Sequence, residues 1–386
     1  MPEALNEIEY DDFMDPLSLA QLADDSAIYA EAIHNLVTKF RRIFEYSKRK
    51  KQVANIKKTV YGHFSAHPRL TPLTVDNGIT LDSIDPEKGY KYIGLIVFPT
   101  NEIEKIIMRN VNKRLGNFAK YHAWLAINEL TPIEVKLLVL DCCVLGAVLY
   151  SSECWGDITC VEEKLNDAEV KALRAVLGIK KGTTIDLIYH ELQRCTIGSR
   201  IRDRQYKFFQ KLTGMSQDDA IVKVVIDKFS DSLMLSYYRN LKDKNGEQEI
   251  KEREDRIRSS QQSMCKYYVD LDLMKKSQIY NSMLSDFYRI ILSRWRLSNH
   301  RLNIETGRYT KPITLRENRI CTLCKVLENE EHVIFNCPRY EDLRRLYQLT
   351  DTIADIENFL DPPYTKMKDT ANFLYALEKR RNDLNL

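Results

Sequence analysis

Residues 19–29 read Leu19-Ala20-Gln21-Leu22-Ala23-Asp24-Asp25-Ser26-Ala27-Ile28-Tyr29. Two apolar runs, 17–23 and 27–30, flank Asp24 and Asp25, which predicts two strands that meet at a tight turn. Adjacent carboxylates between buried strands repel each other unless a divalent cation or a cationic neighbour compensates. Nucleotidyl transfer uses paired carboxylates to hold divalent metal ions. Asp24 and Asp25 are therefore candidate catalytic residues, and a plain turn with both side chains in water is the alternative.

The composition excludes several classes of protein. The 386 residues are 44% apolar and 29% charged with a net charge of +3, as in an ordinary globular protein. The acidic start has no apolar leader, and three charged residues interrupt the most apolar stretch, 133–150. Nine cysteines, an odd number, favour a reducing compartment. We expect an intracellular protein, nuclear or cytoplasmic, that is neither secreted nor bound to a membrane.

The charges are distributed unevenly near the amino terminus. Residues 1–38 contain nine acidic side chains and no basic one, whereas residues 39–58 contain nine basic side chains and a single glutamate. Apolar residues from Ile33 to Phe44 recur at helical spacing, so most of this basic run lies on an amphipathic helix. Three interpretations fit this basic run: a nuclear localisation signal, a helix face toward nucleic acid, and a solvated helix face.

The pattern of residues predicts an α+β protein in four segments. Residues 1–100 have strand patterns at 59–64, 70–75, 79–84 and 90–98, with a hairpin signal at Asn77-Gly78. Residues 101–299 are helical; a capping box with Pro132 begins one helix, and Gly178 ends another. Residues 300–347 are a compact segment with little periodicity, and residues 348–386 form a polar helical tail.

The compact segment contains a metal-ligand pattern. Cys321 and Cys324 are followed by His332 and then Cys337, in the spacing C-x2-C-x7-H-x4-C. Three thiolates and an imidazole make a closed tetrahedral set for structural Zn²⁺. A redox-active Cys-x-x-Cys pair is the alternative, but it leaves His332 and Cys337 unexplained. The neighbouring acids Glu330 and Glu331 are expected to be solvated, and the alternative is that they support the metal ligands from outside.

Several of these motifs, taken in order, resemble reverse transcriptases of LINE-type retrotransposons, which lack long terminal repeats. The Leu-Ala-Asp-Asp run is similar to the family's catalytic hairpin. The zinc region is the most specific part of the resemblance, which extends from about residue 17 to 347. The similar stretches are Leu22-Ala23-Asp24-Asp25, Asn55-Ile56-Lys57-Lys58-Thr59, Tyr90-Lys91-Tyr92-Ile93-Gly94, Tyr150-Ser151-Ser152-Glu153-Cys154-Trp155, His300–Tyr309 and Cys337-Pro338-Arg339-Tyr340.

The resemblance implies a fold and an activity. It implies part of a reverse-transcriptase palm, with short antiparallel strands and a helix, followed by an all-α thumb and the zinc-stapled segment. The implied activity is RNA-directed DNA synthesis, with Mg²⁺ held by Asp24 and Asp25 and with an RNA template and a DNA primer or target as partners. The residues expected to contact nucleic acid or phosphate are Lys57, Lys58, Tyr92, Gly94, Arg301 and Arg308. Tyr309, among Arg301, Arg308, Arg316 and Arg319, suits base stacking. The alternatives are local salt bridges of these arginines to Glu305 and Glu317, surface positions for Lys57 and Lys58, and a core position for Tyr92.

The sequence departs from the family pattern before Asp24. About sixteen residues precede the first strand, too few for fingers or for the strand that carries the first palm carboxylate. We therefore expect a C-terminal fragment that is inactive alone and that needs an upstream polymerase segment or chain. The alternatives are a non-catalytic, zinc-containing protein that binds RNA or DNA, and a helical zinc protein that has protein partners only.

Overall fold

A computed structural model describes residues 19–22, 25–76, 78–215, 222–223, 226–227, 233–241, 246–280, 284–348 and 355–384. The described chain is mixed α+β and mostly helical with a few short strands, which confirms the general class. It divides into two compact units. Unit 1 comprises residues 1–113, 151–161 and 204–242, and unit 2 comprises residues 114–150, 162–203 and 243–386. The four segments drawn from the sequence stay a prediction.

The strands all lie in unit 1. They are β1 (Leu19–Leu22), β2 (Asp25–Ile28), β3 (Val60–Tyr61), β4 (Leu73–Asp76), β5 (Ile79–Ser83), β6 (Tyr90–Tyr92) and β7 (Leu95–Val97). They form a β1-β2 hairpin, a three-stranded sheet in the order β3-β5-β4, and a β6-β7 hairpin.

The first hairpin closes one residue earlier than the sequence predicts. Leu22 pairs with Asp25, so β1 ends at Leu22 and Asp25 begins β2. The predicted second strand is therefore present, but at Asp25–Ile28 and not at 27–30. In the observed register Leu19 lies opposite Ile28. Asp24 lies outside the described residues.

The core of unit 1 lies between helix α1 (Ile33–Arg49) and the three-stranded sheet. Its buried side chains are Phe40, Tyr61, Leu73, Val75 and Leu81, and Ile28 of β2 packs against them. The predicted hairpin is present, since Asp76 pairs with Ile79 across Asn77 and Gly78, although Asn77 lies outside the described residues. Gly78 has φ +79°, a conformation that glycine adopts without a steric penalty.

The run predicted as one strand at 90–98 is instead the β6-β7 hairpin. Its turn consists of Ile93 (φ +46°) and Gly94 (φ +77°). Positive φ at both central residues is the geometry of a type I′ turn, whose twist matches that of the paired strands. The hydroxyl of Tyr90 donates to the carbonyl of Lys58 at 3.4 Å, so this hairpin lies beside the Lys57-Lys58 turn.

The other helices, in chain order, are α2 (Ile103–Ile127), α3 (Ile133–Val139), α4 (Thr159–Leu177), α5 (Ile185–Glu191), α6 (Ile197–Met215), α7 (Leu233–Asn240), α8 (Gly246–Ser259), α9 (Ser263–Asp270), α10 (Asp286–Arg296), α11 (Asn303–Thr306), α12 (Glu341–Tyr347), α13 (Ile356–Leu360) and α14 (Met367–Asp383). A π-helical stretch, Leu140–Leu145, follows α3, and another is His332–Asn336.

The predicted end of α4 and the predicted start of α3 can be compared with the structure. α4 ends at Leu177, and Gly178 follows with φ +67°, as predicted. The capping box before α3 was wrong: Pro132 itself is the N-cap, with ψ 146°, and no side chain caps the helix. Proline cannot donate a backbone hydrogen bond, so it tolerates the N-cap position as well as the first helical one.

The core of unit 2 lies around α10 and α14, which pack against each other. Trp295 of α10 and Phe373, Leu374 and Leu377 of α14 are buried. The helix after residues 362–363 is confirmed, but it is not a peripheral polar tail, because one apolar stripe of α14 lies in this core. Among the described residues, no helix combines the length and apolarity needed to cross a bilayer.

Candidate metal centre

The structure brings Cys321, Cys324, His332 and Cys337 together. One ligand atom from each lies within 4.8 Å of the others. The Sγ atom of Cys337 is 3.9 Å from that of Cys321 and 3.8 Å from that of Cys324. Four ligands around Zn²⁺ with Zn–S bonds of about 2.3 Å have S···S separations of about 3.8 Å. The arrangement could therefore hold a metal ion such as zinc, as the sequence predicts.

A tight turn positions the first two thiols. The N–H of Cys321 donates to the carbonyl of Val326 at 2.7 Å, and the N–H of Lys325 donates to the carbonyl of Cys321 at 2.9 Å. Lys325 has φ +58°, which reverses the chain directly after Cys324. The two cysteines therefore lie on one side of a compact loop, with two residues between them.

A short helical turn positions the other two ligands. The side chain of Asn329 accepts a hydrogen bond from the N–H of His332 at 2.9 Å and so begins this turn. At the end of the π-helical residues 332–336, the N–H of Cys337 donates to the carbonyl of His332 at 2.7 Å. Arg344 of α12 donates to the carbonyl of Cys337 at 2.7 Å. These bonds hold His332 and Cys337 on the side that faces the thiols.

The chemistry of the four side chains fits a metal ion. Nε2 of His332 is buried and has no hydrogen-bond partner among the described residues, as expected for a nitrogen that ligates a metal. Burial lowers the pKa of His332, which favours the neutral imidazole that binds metals. Burial also raises the pKa of the Cys337 thiol to about 12, so a cation is needed to ionise it at neutral pH.

The acids beside the centre behave differently from one another. Glu331 is exposed, but Glu330 is buried, so the expectation that both are solvated was wrong for Glu330. Its Oε1 lies 2.8 Å from Nε2 of His300 and 3.0 Å from the hydroxyl of Ser298. Glu330 is thus a buried acceptor that ties the metal-binding turn to the residues directly after α10.

The arginines around the centre divide into exposed and engaged groups. Arg301 is exposed and donates to the side chain of Asn382 at 3.3 Å. Arg308 is half-buried, forms an ion pair with Glu305 at 2.7 Å, and lies 5.8 Å from the centre of the Tyr309 ring. Arg319 is buried and donates to two backbone carbonyls. Arg301 is therefore the better placed of the two predicted phosphate contacts.

The other predicted site residues lie in unit 1. Asp25 starts β2, with its side chain outside the described part of the structure, and Lys57 and Lys58 are exposed in a 3₁₀ turn, Ile56–Lys58, before β3. Tyr92 is half-buried, and Gly94 is exposed at the hairpin turn. Tyr90 connects this turn to Lys58, so Lys57, Lys58, Tyr92 and Gly94 belong to neighbouring segments of one unit.

Sequence reasoning missed a group of residues in unit 2. Lys180, Lys181 and Gly182 line a cleft together with Arg301 and Tyr309. The signal was present in the sequence as two lysines between Gly178 and Gly182, but these residues lie more than a hundred positions from the zinc region. Only the packing of α4 and α10 brings them near Arg301.

Three comparisons with known proteins identify no relative. No protein-family model, no curated protein and no solved structure matches this chain.

Proposed function

We propose that this chain carries the end of the palm, the thumb and the zinc-binding region of a LINE-type reverse transcriptase. In this proposal it binds an RNA template with a DNA primer or target and takes part in RNA-directed DNA synthesis. The observation that carries the proposal is the meeting of Cys321, Cys324, His332 and Cys337, with Zn²⁺ as their metal. Their segment is the part of the chain whose resemblance to the family is most specific.

The arrangement of unit 1 supports the same proposal. A hairpin that contains Asp25 packs through Ile28 on the basic helix α1, and a second hairpin with Tyr92 lies beside Lys58. The resemblance assigns catalytic carboxylates to the first hairpin and a primer-side turn to the second. In this proposal Asp24 and Asp25 hold Mg²⁺, Lys57 and Lys58 contact phosphate, and Tyr92 and Gly94 shape the turn beside the primer.

Primer extension on an RNA template tests the catalytic part. The assay compares the wild-type chain with Asp25→Asn, both zinc-loaded, in Mg²⁺ or Mn²⁺, with Asp76→Asn as a matched control on β4. Extension by the wild type and the control, but not by Asp25→Asn, supports the catalytic role of Asp25 and overturns the expectation that the chain is inactive alone. Equal extension by all three proteins excludes a catalytic role for Asp25.

A binding assay distinguishes the alternative function, non-catalytic binding of RNA or DNA, from polymerase activity. A non-catalytic zinc protein that binds RNA or DNA holds a primer–template with an affinity that falls steeply with salt, and Asp25→Asn leaves that affinity unchanged. Salt-dependent binding without extension by a folded, zinc-loaded sample therefore favours this alternative. Absence of both binding and extension argues against both functions and favours a zinc protein with protein partners.

A further inference from the structure

Unit 2 contains a cleft of about 240 Å³ whose walls come from four parts of the chain. They are the loop after α4, the end of α10, the segment around α11, and α14, and Met264 of α9 adds a fifth contact. We call it the basic cleft and define it by Lys180, Lys181, Arg294, Arg301 and Tyr309. Pockets for whole drug-sized ligands have volumes of about 300–1,000 Å³. The volume of the basic cleft therefore suits one monomer of a polymeric ligand better than a complete small molecule.

The basic cleft carries an excess of positive charge. Five cationic and two acidic side chains line it, the fifth cation being the buried Arg381. Glu305 forms an ion pair with Arg308, whereas Glu378 accepts from the indole N–H of Trp295 at 3.0 Å and keeps its negative charge. Within the described chain, no carboxylate forms an ion pair with Lys180, Lys181 or Arg301. These three exposed cations are available to an anionic ligand.

The loop that presents the lysines is held in place by Asn299. Its side-chain oxygen accepts from the N–H of Lys180 at 3.0 Å, and its amide donates to the carbonyl of Lys180 and to the hydroxyl of Thr183. Arg294 adds a hydrogen bond to the carbonyl of Gly178 at 3.0 Å. The backbone at Lys180 and Lys181 is therefore pre-organised, which lowers the entropic cost of binding.

Tyr309 supplies an aromatic surface beside these cations. Its side chain is 62% exposed. Gly182 has φ +129°, and a Cβ atom there would lie 2.7 Å from the hydroxyl oxygen of Tyr309. The glycine thus permits the close approach of the lysine loop to the tyrosine. Exposed cations next to a solvent-accessible ring are the combination that binds a phosphodiester chain and stacks an unpaired base.

We propose that the basic cleft binds a segment of single-stranded nucleic acid. Lys180, Lys181 and Arg301 contact successive phosphates, and a base stacks on Tyr309. The inference rests on the nucleic-acid binding of the proposed function, and it names a site in unit 2 that is separate from the metal ligands and from the hairpins of unit 1.

Fluorescence anisotropy with 5′-fluorescein-labelled U15 and dT15 tests whether the lysines of the basic cleft contact phosphates. The double variant Lys180→Ala/Lys181→Ala is compared with Lys171→Ala/Lys276→Ala, which removes two exposed lysines of unit 2 outside the cleft. Each phosphate contact with a single strand contributes about −0.7 to the slope of log K against log salt concentration. Loss of two contacts therefore makes this slope less steep by about 1.4. We expect that change, with about tenfold weaker binding at 100 mM salt, for the cleft variant alone.

A second pair of variants tests stacking. Tyr309→Ala is expected to weaken binding about tenfold, in the range measured for loss of one base–aromatic stack. Tyr309→Phe keeps the ring and is expected to bind within about twofold of the wild type. Circular dichroism and zinc content establish that each variant is folded.

The possible results separate the inference from the proposed function. Binding that both lysine double variants weaken equally, or that Tyr309→Ala does not weaken, overturns the inference even if the wild type extends primers. Competition by polyglutamate as strong as by unlabelled U15 also overturns it, since a site for acidic protein would then be indicated. Cleft-dependent binding without primer extension supports the inference and leaves the catalytic proposal unsupported.

Discussion

Arg381 forms a two-pronged ion pair with Glu328. Nη1 lies 2.7 Å from Oε1 and Nη2 lies 2.8 Å from Oε2, and both side chains are buried. Glu328 lies between the second and third ligands of the candidate metal centre, whereas Arg381 is near the end of α14. The pair therefore attaches the metal-binding segment to the C-terminal helix.

Breaking this pair is expected to destabilise the protein strongly. Arg381→Met leaves the buried carboxylate of Glu328 without its partner, which costs about 3–5 kcal/mol of unfolding free energy. Arg381→Lys is also expected to be less stable than the wild type, since an ammonium group cannot reproduce the planar two-pronged geometry. Urea denaturation measures both, with Lys379→Met as an exposed neighbouring control. A lysine variant as stable as the wild type would contradict the prediction.

The four ligands are expected to bind one Zn²⁺ per chain. His332→Ala and Cys337→Ser remove one ligand each, so both are expected to lose the metal and to melt at a lower temperature. Cys143→Ser, which changes an exposed cysteine outside the cluster, is the control. Metal analysis gives the stoichiometry, and Co²⁺ substitution shows tetrahedral thiolate coordination by its absorption bands. Full metal content in His332→Ala would exclude the assigned set.

Glu330 and Glu331 offer a direct comparison of neighbouring acids. Glu330→Ala leaves His300 and Ser298 without their buried acceptor, at a cost of about 1–3 kcal/mol. Glu331 is exposed, so Glu331→Ala is expected to change stability by less than about 0.5 kcal/mol. Chemical denaturation of the zinc-loaded proteins measures the difference. Equal stability of the two variants would show that the hydrogen bonds of Glu330 contribute nothing.

Asp355 predicts a pH-dependent contribution to stability. Its carboxylate caps α13 by accepting from the N–H of Asn358 at 2.8 Å, and this backbone bond, with one from the Asn358 side chain, lowers the pKa of Asp355. Because the folded pKa lies below the unfolded value, the stabilisation is complete above about pH 4 and is lost as the pH falls through the lowered pKa.

The test compares Asp355→Ala with Asp355→Asn. The alanine variant is expected to lose about 1 kcal/mol at pH 7, and its deficit relative to the wild type should shrink at pH 3. Asparagine keeps a neutral capping oxygen, so its deficit should be smaller at pH 7. Urea titrations at both pH values measure the deficits. A deficit of the alanine variant that grows on acidification would reverse the assigned sign.

Metal removal is expected to weaken binding at the basic cleft. Ser298, His300 and Arg381 line the cleft and also hold Glu330 and Glu328 of the metal-binding segment. Loss of the metal loosens that segment, so treatment with a chelator should lower U15 affinity, and added Zn²⁺ should restore it. If chelator-treated protein retains full U15 affinity, binding at the basic cleft does not depend on the metal centre.

Local patterns in the sequence account for much of the fold. The Asn77-Gly78 turn, the amphipathic helix α1 and the end of α4 at Gly178 depend on backbone conformations and side-chain periods within a few residues. The Cys-x-x-Cys pair and the following histidine and cysteine likewise lie within one short segment. Such features need no long-range contact, so the residue order alone specifies them.

Other features depend on contacts between distant segments. The burial of Glu330 against His300, of α14 in the core of unit 2, and of Arg381 against Glu328 joins elements far apart in sequence. The register of the first hairpin, in which Leu22 pairs with Asp25, likewise does not follow from the positions of the two carboxylates in the sequence.

The amino-acid order was sufficient for the α+β class and for the choice of four side chains that could hold a metal, because both follow from short-range periodicity and spacing. Tertiary structure alone decided which cations remain exposed. It engages Arg308 and Arg319 with neighbouring groups, buries Arg381 against Glu328, and brings Lys180 and Lys181 to Arg301 and Tyr309. The physical reason is that a cation becomes available to a ligand through its burial and its partners, and both depend on packing between helices.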